Sequence, residues 1–423
     1  MKKLTIIFIL LSNSIFAQIN FDDYFLLKTL RFDYTRAGNS EASFVYFEQL
    51  KEEAFWGGSK INLIDKFNFG DYRIMLYDST GKKLIYSRGY STLFREWIDT
   101  DEAKMVSRSY YESVVMPFPK YKVVLKLQNR DRKNVFHTVF EHKIDPANYF
   151  IVKDKTDKYA TEKLHGSGNA ATSLDIVVLP DGYTKQEMVK FKKDVARFMG
   201  YFFKVSPFKE NKSKINFWIV NAASEESGTD IPGTDTWKNT VLNTHFFTFN
   251  SERYLTTRDV KQIRDLAAYV PYDQIYILVN SGKYGGGGIY NYYNLCTSDN
   301  EYAEQVFTHE FGHAFAALAD EYHYGVDNAE DIYDLSVEPW QVNITTLVDF
   351  DSKWGKMVDK KTPIPTPDTE KYKNKVGAFE GAGYVSKKIY RPVYDCKMRS
   401  NQINEFCPVC LKAVTDMLKF YSE

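Results

Sequence analysis

Neither sign of charge is in excess: 55 lysines and arginines stand against 55 aspartates and glutamates. A phosphate-binding surface needs a basic surplus, so its absence argues against a nucleic-acid partner. Cysteine is scarce, at four in 423 residues, which excludes a disulfide-dense scaffold. No apolar run approaches the ~20 residues that a membrane span needs. A short one, Leu4 to Leu11, follows Lys2 and Lys3 and precedes the small and polar stretch Ser12 to Ala17. That order predicts an export signal over residues 1–17, cleaved after Ala17. The mature chain is then expected to be soluble, and periplasmic or secreted.

What is present suits a globular chain of two or three domains, with 44% hydrophobic and 26% charged residues. Aromatics reach 16%, which fits packing in β-sheets. Residues 18–150 read as strands. Leu30, Phe32 and Tyr34 alternate with Arg31, Asp33 and Thr35, the period of a half-buried strand. Tyr72 to Tyr77 and Lys83 to Tyr86 flank a turn-rich stretch, and Tyr121 to Leu127 pairs with Val135 to Glu141 in the same way. This predicts an N-terminal β-sandwich. The polar, glycine-bearing segment 151–172 reads as a linker. From 173 to 423 the pattern is mixed α/β. Strands are expected at Leu174 to Leu179, Ile215 to Val220 and Gln274 to Asn280, in a mainly parallel sheet. A Thr184-x-x-Glu187 capping box should open a helix running to about Lys204, and the tail from Leu411 to Tyr421 should be helical.

The chemistry concentrates at Thr308-His309-Glu310-Phe311-Gly312-His313. With seven histidines in the chain, chance matches to His-Glu-x-x-His are on the order of 0.01. On a helix expected from about Glu301 to Leu318, His309 and His313 share one face and can share one zinc ion. Glu310 beside them suits the general base of a peptidase. The third ligand must come from downstream, where Asp320, Glu321 and His323 compete. A continuous helix would carry Asp320 about 10 Å along the axis from His313, too far for shared coordination. The helix is therefore expected to break near Ala316 to Leu318, with Asp320 as the preferred ligand and Glu321 a candidate for orienting a histidine. The glycines Gly285, Gly286 and Gly287 read as a bare strand edge that pairs with a substrate backbone.

These residues, with Leu318-Ala319-Asp320-Glu321-Tyr322, Leu179-Pro180-Asp181-Gly182-Tyr183-Thr184, Phe379-Glu380-Gly381-Ala382 and Cys396-Lys397-Met398-Arg399, resemble the bacterial immunoglobulin-A peptidase family of zinc metallopeptidases. Trp97-Ile98-Asp99-Thr100-Asp101-Glu102-Ala103 resembles that family's N-terminal domain. The resemblance implies a metzincin-like catalytic domain, with Met398 as the methionine turn beneath the metal. Two departures stand out: Ala316 replaces the usual metzincin glycine, and Asp320 lies one residue later than the usual third ligand. Ser400 stands where some metzincins carry an oxyanion-binding tyrosine.

One or two disulfides are expected in an exported chain, with Cys396 pairing to Cys407 or Cys410. A four-cysteine zinc site that includes Cys296 is the lesser reading, because only Cys407 and Cys410 are close in sequence. The resulting expectation is a two-domain α+β chain, a β-sandwich followed by an α/β zinc metalloendopeptidase. Its substrates would be proteins or peptides, host glycoproteins among them. The rival is a non-enzymatic surface or glycan-binding protein with a structural zinc.

Overall fold

A computed structural model describes residues 19–153 and 158–423. The expected export signal lies outside the described residues. Among these residues no helix is long and apolar enough to cross a membrane.

After a short helix α1 (Phe21–Tyr24), the first part of the chain forms β1 (Phe25–Gly38), β2 (Ser43–Glu53), β3 (Tyr72–Tyr77), β4 (Leu84–Tyr90), β5 (Arg108–Pro119), β6 (Val123–Arg130), β7 (Phe136–Ile144) and β8 (Val152–Lys153). They make two four-stranded sheets, β5-β1-β2-β8 and β4-β3-β6-β7. The alternation in β1 has the expected cause, since Leu30, Phe32 and Tyr34 meet Ile74, Leu76, Leu125 and Leu127 in a core between the sheets. Arg31 and Asp33, on the other face, are also fully buried, which strict alternation does not anticipate. They lie at the junction with the second half of the chain, where Arg31 meets Asp265. Between β4 and β5, a five-residue helix α2 (Leu93–Trp97) also turns away from the sandwich core.

The segment expected as a linker carries two short strands among its described residues. β8 pairs with β2, and β9 (Thr161–His165) closes one edge of the next sheet. That sheet contains β10 (Leu174–Asp181), β11 (Ile215–Val220), β12 (Gln274–Val279), β13 (Gly286–Ile289) and β14 (Tyr293–Thr297), in the order β13-β14-β12-β10-β11-β9. Its four central strands are parallel, and β9 and β13 are antiparallel edges. The apolar stretches 176–179 in β10 and 275–279 in β12 follow from burial on both faces. One face is covered by α3 (Met188–Phe202), opened by the Thr184–Glu187 capping box, and by α5 (Ala303–Ala316) and α6 (Pro408–Ser422). The other carries α4 (Val260–Ala267), together with Leu93, Phe94, Trp97 and Tyr110 from the first half. A small third sheet, β15-β17-β16, joins β15 (His323–Val326), β16 (Phe379–Ala382) and β17 (Tyr384–Arg391). It brings positions 323 and 384 side by side.

Candidate active site and metal centre

Helix α5 ends where the sequence requires. Ala317 adopts a left-handed conformation (φ 58°, ψ 32°), a geometry that costs a non-glycine residue roughly 1–2 kcal/mol. The turn sends the chain back beneath its own helix and brings Asp320 to the histidines. His309 Nε2 and His313 Nε2 are 3.0 Å apart, and Asp320 Oδ1 lies 3.1 Å from the first and 3.3 Å from the second. Ligand atoms around a tetrahedral zinc with bonds of about 2.0–2.1 Å stand about 3.3 Å apart, so one ion fits between all three.

The far side of each ring is fixed as well. His309 Nδ1 meets the Lys397 carbonyl at 2.9 Å, and His313 Nδ1 meets the Leu318 carbonyl at 2.6 Å. A carbonyl only accepts, so both Nδ1 atoms carry hydrogen and both Nε2 lone pairs are turned toward the shared point. Asp320 is steadied by the Tyr384 hydroxyl, which donates to Oδ2 at 2.6 Å. In the metal-free protein, burial pulls His313 down, but the Asp320 charge outweighs it and holds the imidazole at about 9. Asp320 is driven the opposite way: burial opposes ionisation, yet the two imidazoles hold the carboxyl well below its usual range.

The residues line a cleft of about 510 Å³. Glu310 opens into it, its carboxyl raised by burial against the pull of both histidines. A Cβ at Gly286 would stand 2.8 Å from Glu310 Oε1, and one at Gly288 would stand 2.2 Å from the Glu310 carbonyl. Glycine therefore lets β13 lie against the helix. Gly286 and Gly287 line the cleft as expected, Gly288 joins them, and Gly285 does not. A side chain at 285 would instead meet Phe246 and the Arg253 backbone. The strand is an edge strand, although Tyr254 already bridges to Gly286 on its outer side. Met398 is fully buried below the helix, and a Cβ at Gly312 would come within 2.9 Å of its sulfur. Ser400 faces Asp395.

Two expectations need correction, on Glu321 and on the disulfide, and the rival ligand His323 lies away from the site. Glu321 does not orient a ligand histidine: it is fully buried and its Oε1 accepts from Asn343 Nδ2 and Cys410 Sγ. His323 is exposed on β15 and packs beside Gly381. No disulfide joins Cys396 to Cys407 or Cys410; all four cysteines are free, and the Cys396 and Cys410 sulfurs stand 3.9 Å apart, nearly twice a sulfur–sulfur bond of about 2.05 Å. Cys396, Cys407 and Cys410 instead surround Glu321, while Cys296 lies apart in β14.

Sequence reasoning missed the opposite wall of the cleft. Arg253 Nη2 donates to the hydroxyls of Tyr322 and Tyr324, and the Tyr324 and Tyr384 rings stack in parallel. Glu96, from α2 in the first half, lines the same cleft and accepts from the Tyr254 hydroxyl. Burial pushes its carboxyl up to about 7. Only the tyrosine-rich run at positions 322–324 offered a signal; nothing in spacing links positions 96, 253 and 384 to the helix.

Two family models match the chain. The family model described as IgA Peptidase M64 matches residues 163–373 and 368–418. The one described as Peptidase M64 N-terminus matches residues 20–141. No curated protein matches the chain. The first model alone spans more than half of the sequence and contains every residue of the His309–Asp320 constellation, so the chain belongs to the IgA peptidase M64 family.

Proposed function

We propose that this peptidase is an exported zinc-dependent endopeptidase of metzincin-like design, with His309, His313 and Asp320 as the metal ligands and Glu310 as the general base. The observation that carries the proposal is the convergence of two imidazole Nε2 atoms and one carboxylate oxygen within 3.0–3.3 Å of one another, each ring being held by a backbone carbonyl from behind. Two nitrogens and one oxygen form a donor set suited to zinc, with room left for water or substrate on the cleft side. Bound zinc would supply Lewis acidity toward the scissile carbonyl and make water a better acid.

The chain's own residues do the rest. Glu310 takes a proton from the attacking water and returns it to the leaving amine. Burial raises its carboxyl against the pull of both histidines, which favours proton uptake. Gly286, Gly287 and Gly288 line the cleft beside Glu310 and offer an extended peptide a wall without side chains. Tyr384, whose hydroxyl sits on Asp320 Oδ2 at the cleft, is the phenol closest to the proposed metal ligands and takes the place that Ser400 leaves empty. It too has a left-handed backbone (φ 72°), a strain often retained at functional positions. The Met398 loop supports His309 from below through the Lys397 carbonyl.

The test is Glu310→Gln. Zinc content and fold should match the wild type, and peptidase turnover should fall about 10²–10⁴-fold. Turnover near that of the wild type would move the base elsewhere, and a zinc-free wild-type protein prepared without chelators would sink the proposal. Cleavage-site profiling on a protein mixture would then define the substrates, host glycoproteins included.

A further inference from the structure

Behind the active site lies a second cluster that the peptidase reaction does not use. Glu321, Cys396, Cys407 and Cys410 place one carboxylate oxygen and three sulfurs all within 4.8 Å of one another, and all four residues are buried. The Cys396–Cys410 sulfur separation of 3.9 Å is close to the edge of a tetrahedron built on zinc–sulfur bonds of about 2.3 Å, which is about 3.8 Å. Cys407 and Cys410 form a Cys-x-x-Cys pair at the start of α6, a spacing that suits two ligands of one ion.

Two further observations separate this cluster from ordinary core packing of thiols. First, Glu321 has no exposed surface, and its Oε2 has no hydrogen-bond partner. A carboxylate so placed is costly unless something positive or hydrogen-bonding meets it. Second, backbone amides already point at the sulfurs: Cys407 N–H donates to Cys396 Sγ at 3.3 Å and Cys410 N–H to Cys407 Sγ at 3.5 Å. Such donors stabilise thiolate more than thiol. Buried Arg391 and Lys397 bring positive charge toward Glu321 and Cys396, offsetting part of the excess negative charge that three thiolates and a carboxylate would leave around a divalent ion.

We propose that Glu321, Cys396, Cys407 and Cys410 form a second, structural zinc site, with the unpartnered Glu321 oxygen as the fourth ligand in the position that a four-cysteine site would give to Cys296. Three sulfurs select a soft or borderline ion over calcium or magnesium. Full burial leaves no open position for substrate, so the site holds the fold together. It ties three segments that carry the cleft. Glu321 follows Asp320; Cys396 opens the loop containing Lys397 and Met398; and Cys407 and Cys410 anchor α6 under α5. The Glu321 N–H bond to the Met398 carbonyl, at 2.8 Å, already joins the first two.

Native mass spectrometry of the full chain, purified with reductant and without chelator, should find two zinc ions. Cobalt loading should give thiolate-to-cobalt charge-transfer bands in the near ultraviolet. A His309→Ala/His313→Ala variant should lose one ion and keep those bands; Cys407→Ser should lose them, and the two-ion stoichiometry of the wild type tests the site even where that variant does not fold. A single zinc in the wild type that disappears with the two histidines would overturn the second site and leave the peptidase reading intact. So would a Cys396–Cys407 or Cys396–Cys410 disulfide in the native protein. Loss of peptidase function with two ions still bound would instead strike at the proposed chemistry of Glu310.

Discussion

At the scale of single residues, the candidate site is organised by hydrogen bonds that face away from the cleft. Lys397 and Leu318 offer carbonyls to the two imidazoles, and Tyr384 offers a hydroxyl to Asp320. Partners of this kind set ligand orientation and basicity, and their loss costs about 10–100-fold in metal affinity or activity. Tyr384→Phe should therefore leave the fold unchanged and lower zinc affinity or turnover by about that factor, as read by chelator competition and steady-state kinetics. Values equal to the wild type in both would remove Tyr384 from the site. The histidine pair and Glu310 were legible in the sequence because all three lie within five positions of one helix, where periodicity translates directly into geometry. Asp320 was legible by exclusion, since a straight helix cannot deliver it. Tyr384 was not, because it arrives on β17 through a strand pairing with His323 that no local pattern encodes.

At the scale of elements, the decisive contact is that of β13 with α5. The glycine run invited a reading in terms of substrate alone, yet the packing gives it a prior structural reason. Gly288 has no room for a Cβ, which would meet backbone atoms of Glu310 rather than a flexible side-chain end. Gly288→Ala should therefore push strand and helix apart and displace Glu310 and His313 together. The expected outcome is destabilisation of about 1–3 kcal/mol, as for other overpacked cores, with a marked loss of activity. Gly282→Ala is the matched control, because nothing lies within 4 Å of the added atom, and it should be close to neutral. Denaturant unfolding of both variants decides; equal effects would mean that the strand–helix spacing is not the constraint. The strand positions of the second half were readable because β10, β11 and β12 are dominated by short apolar runs such as 176–179 and 275–279. The edge strand β9 was hidden inside a polar segment that resembled a linker, since an edge strand buries only part of its surface and carries a weaker pattern.

At the scale of the whole molecule, the two halves share a core. Leu93, Phe94, Trp97 and Tyr110 pack with Leu179, Ile263 and Val279 on the face of the sheet opposite α5, and Glu96 from the same short helix reaches the cleft. A composition shift near residue 150 marked the change of architecture but said nothing about this contact, which depends on apolar residues far apart in the chain. Polar groups fasten the same junction. Arg31 of β1, fully buried, lies 2.8 Å from Asp265 of α4, and Lys51 of β2 lies 2.6 Å from the same carboxylate. Burial alone would raise the Asp265 carboxyl, but Arg31 chiefly, with Lys261 and Lys51, holds it down at about 2. A carboxyl depressed in the folded state contributes stability that is complete above its unfolded pKa and is lost as pH falls through the folded one. The window here runs from about pH 4 to about pH 2, and the contribution is about 2 kcal/mol. Asp265→Asn should accordingly lower the unfolding free energy by about that amount at pH 7, and the gap to the wild type should close as the pH approaches 2. Because Arg31 and Asp265 belong to different halves, the loss should appear in one cooperative transition followed alike by secondary structure and by peptidase activity. A gap that stays constant with pH would deny the ion pair its role. Two separate transitions, with only the sandwich shifted, would show that the shared core does not couple the halves.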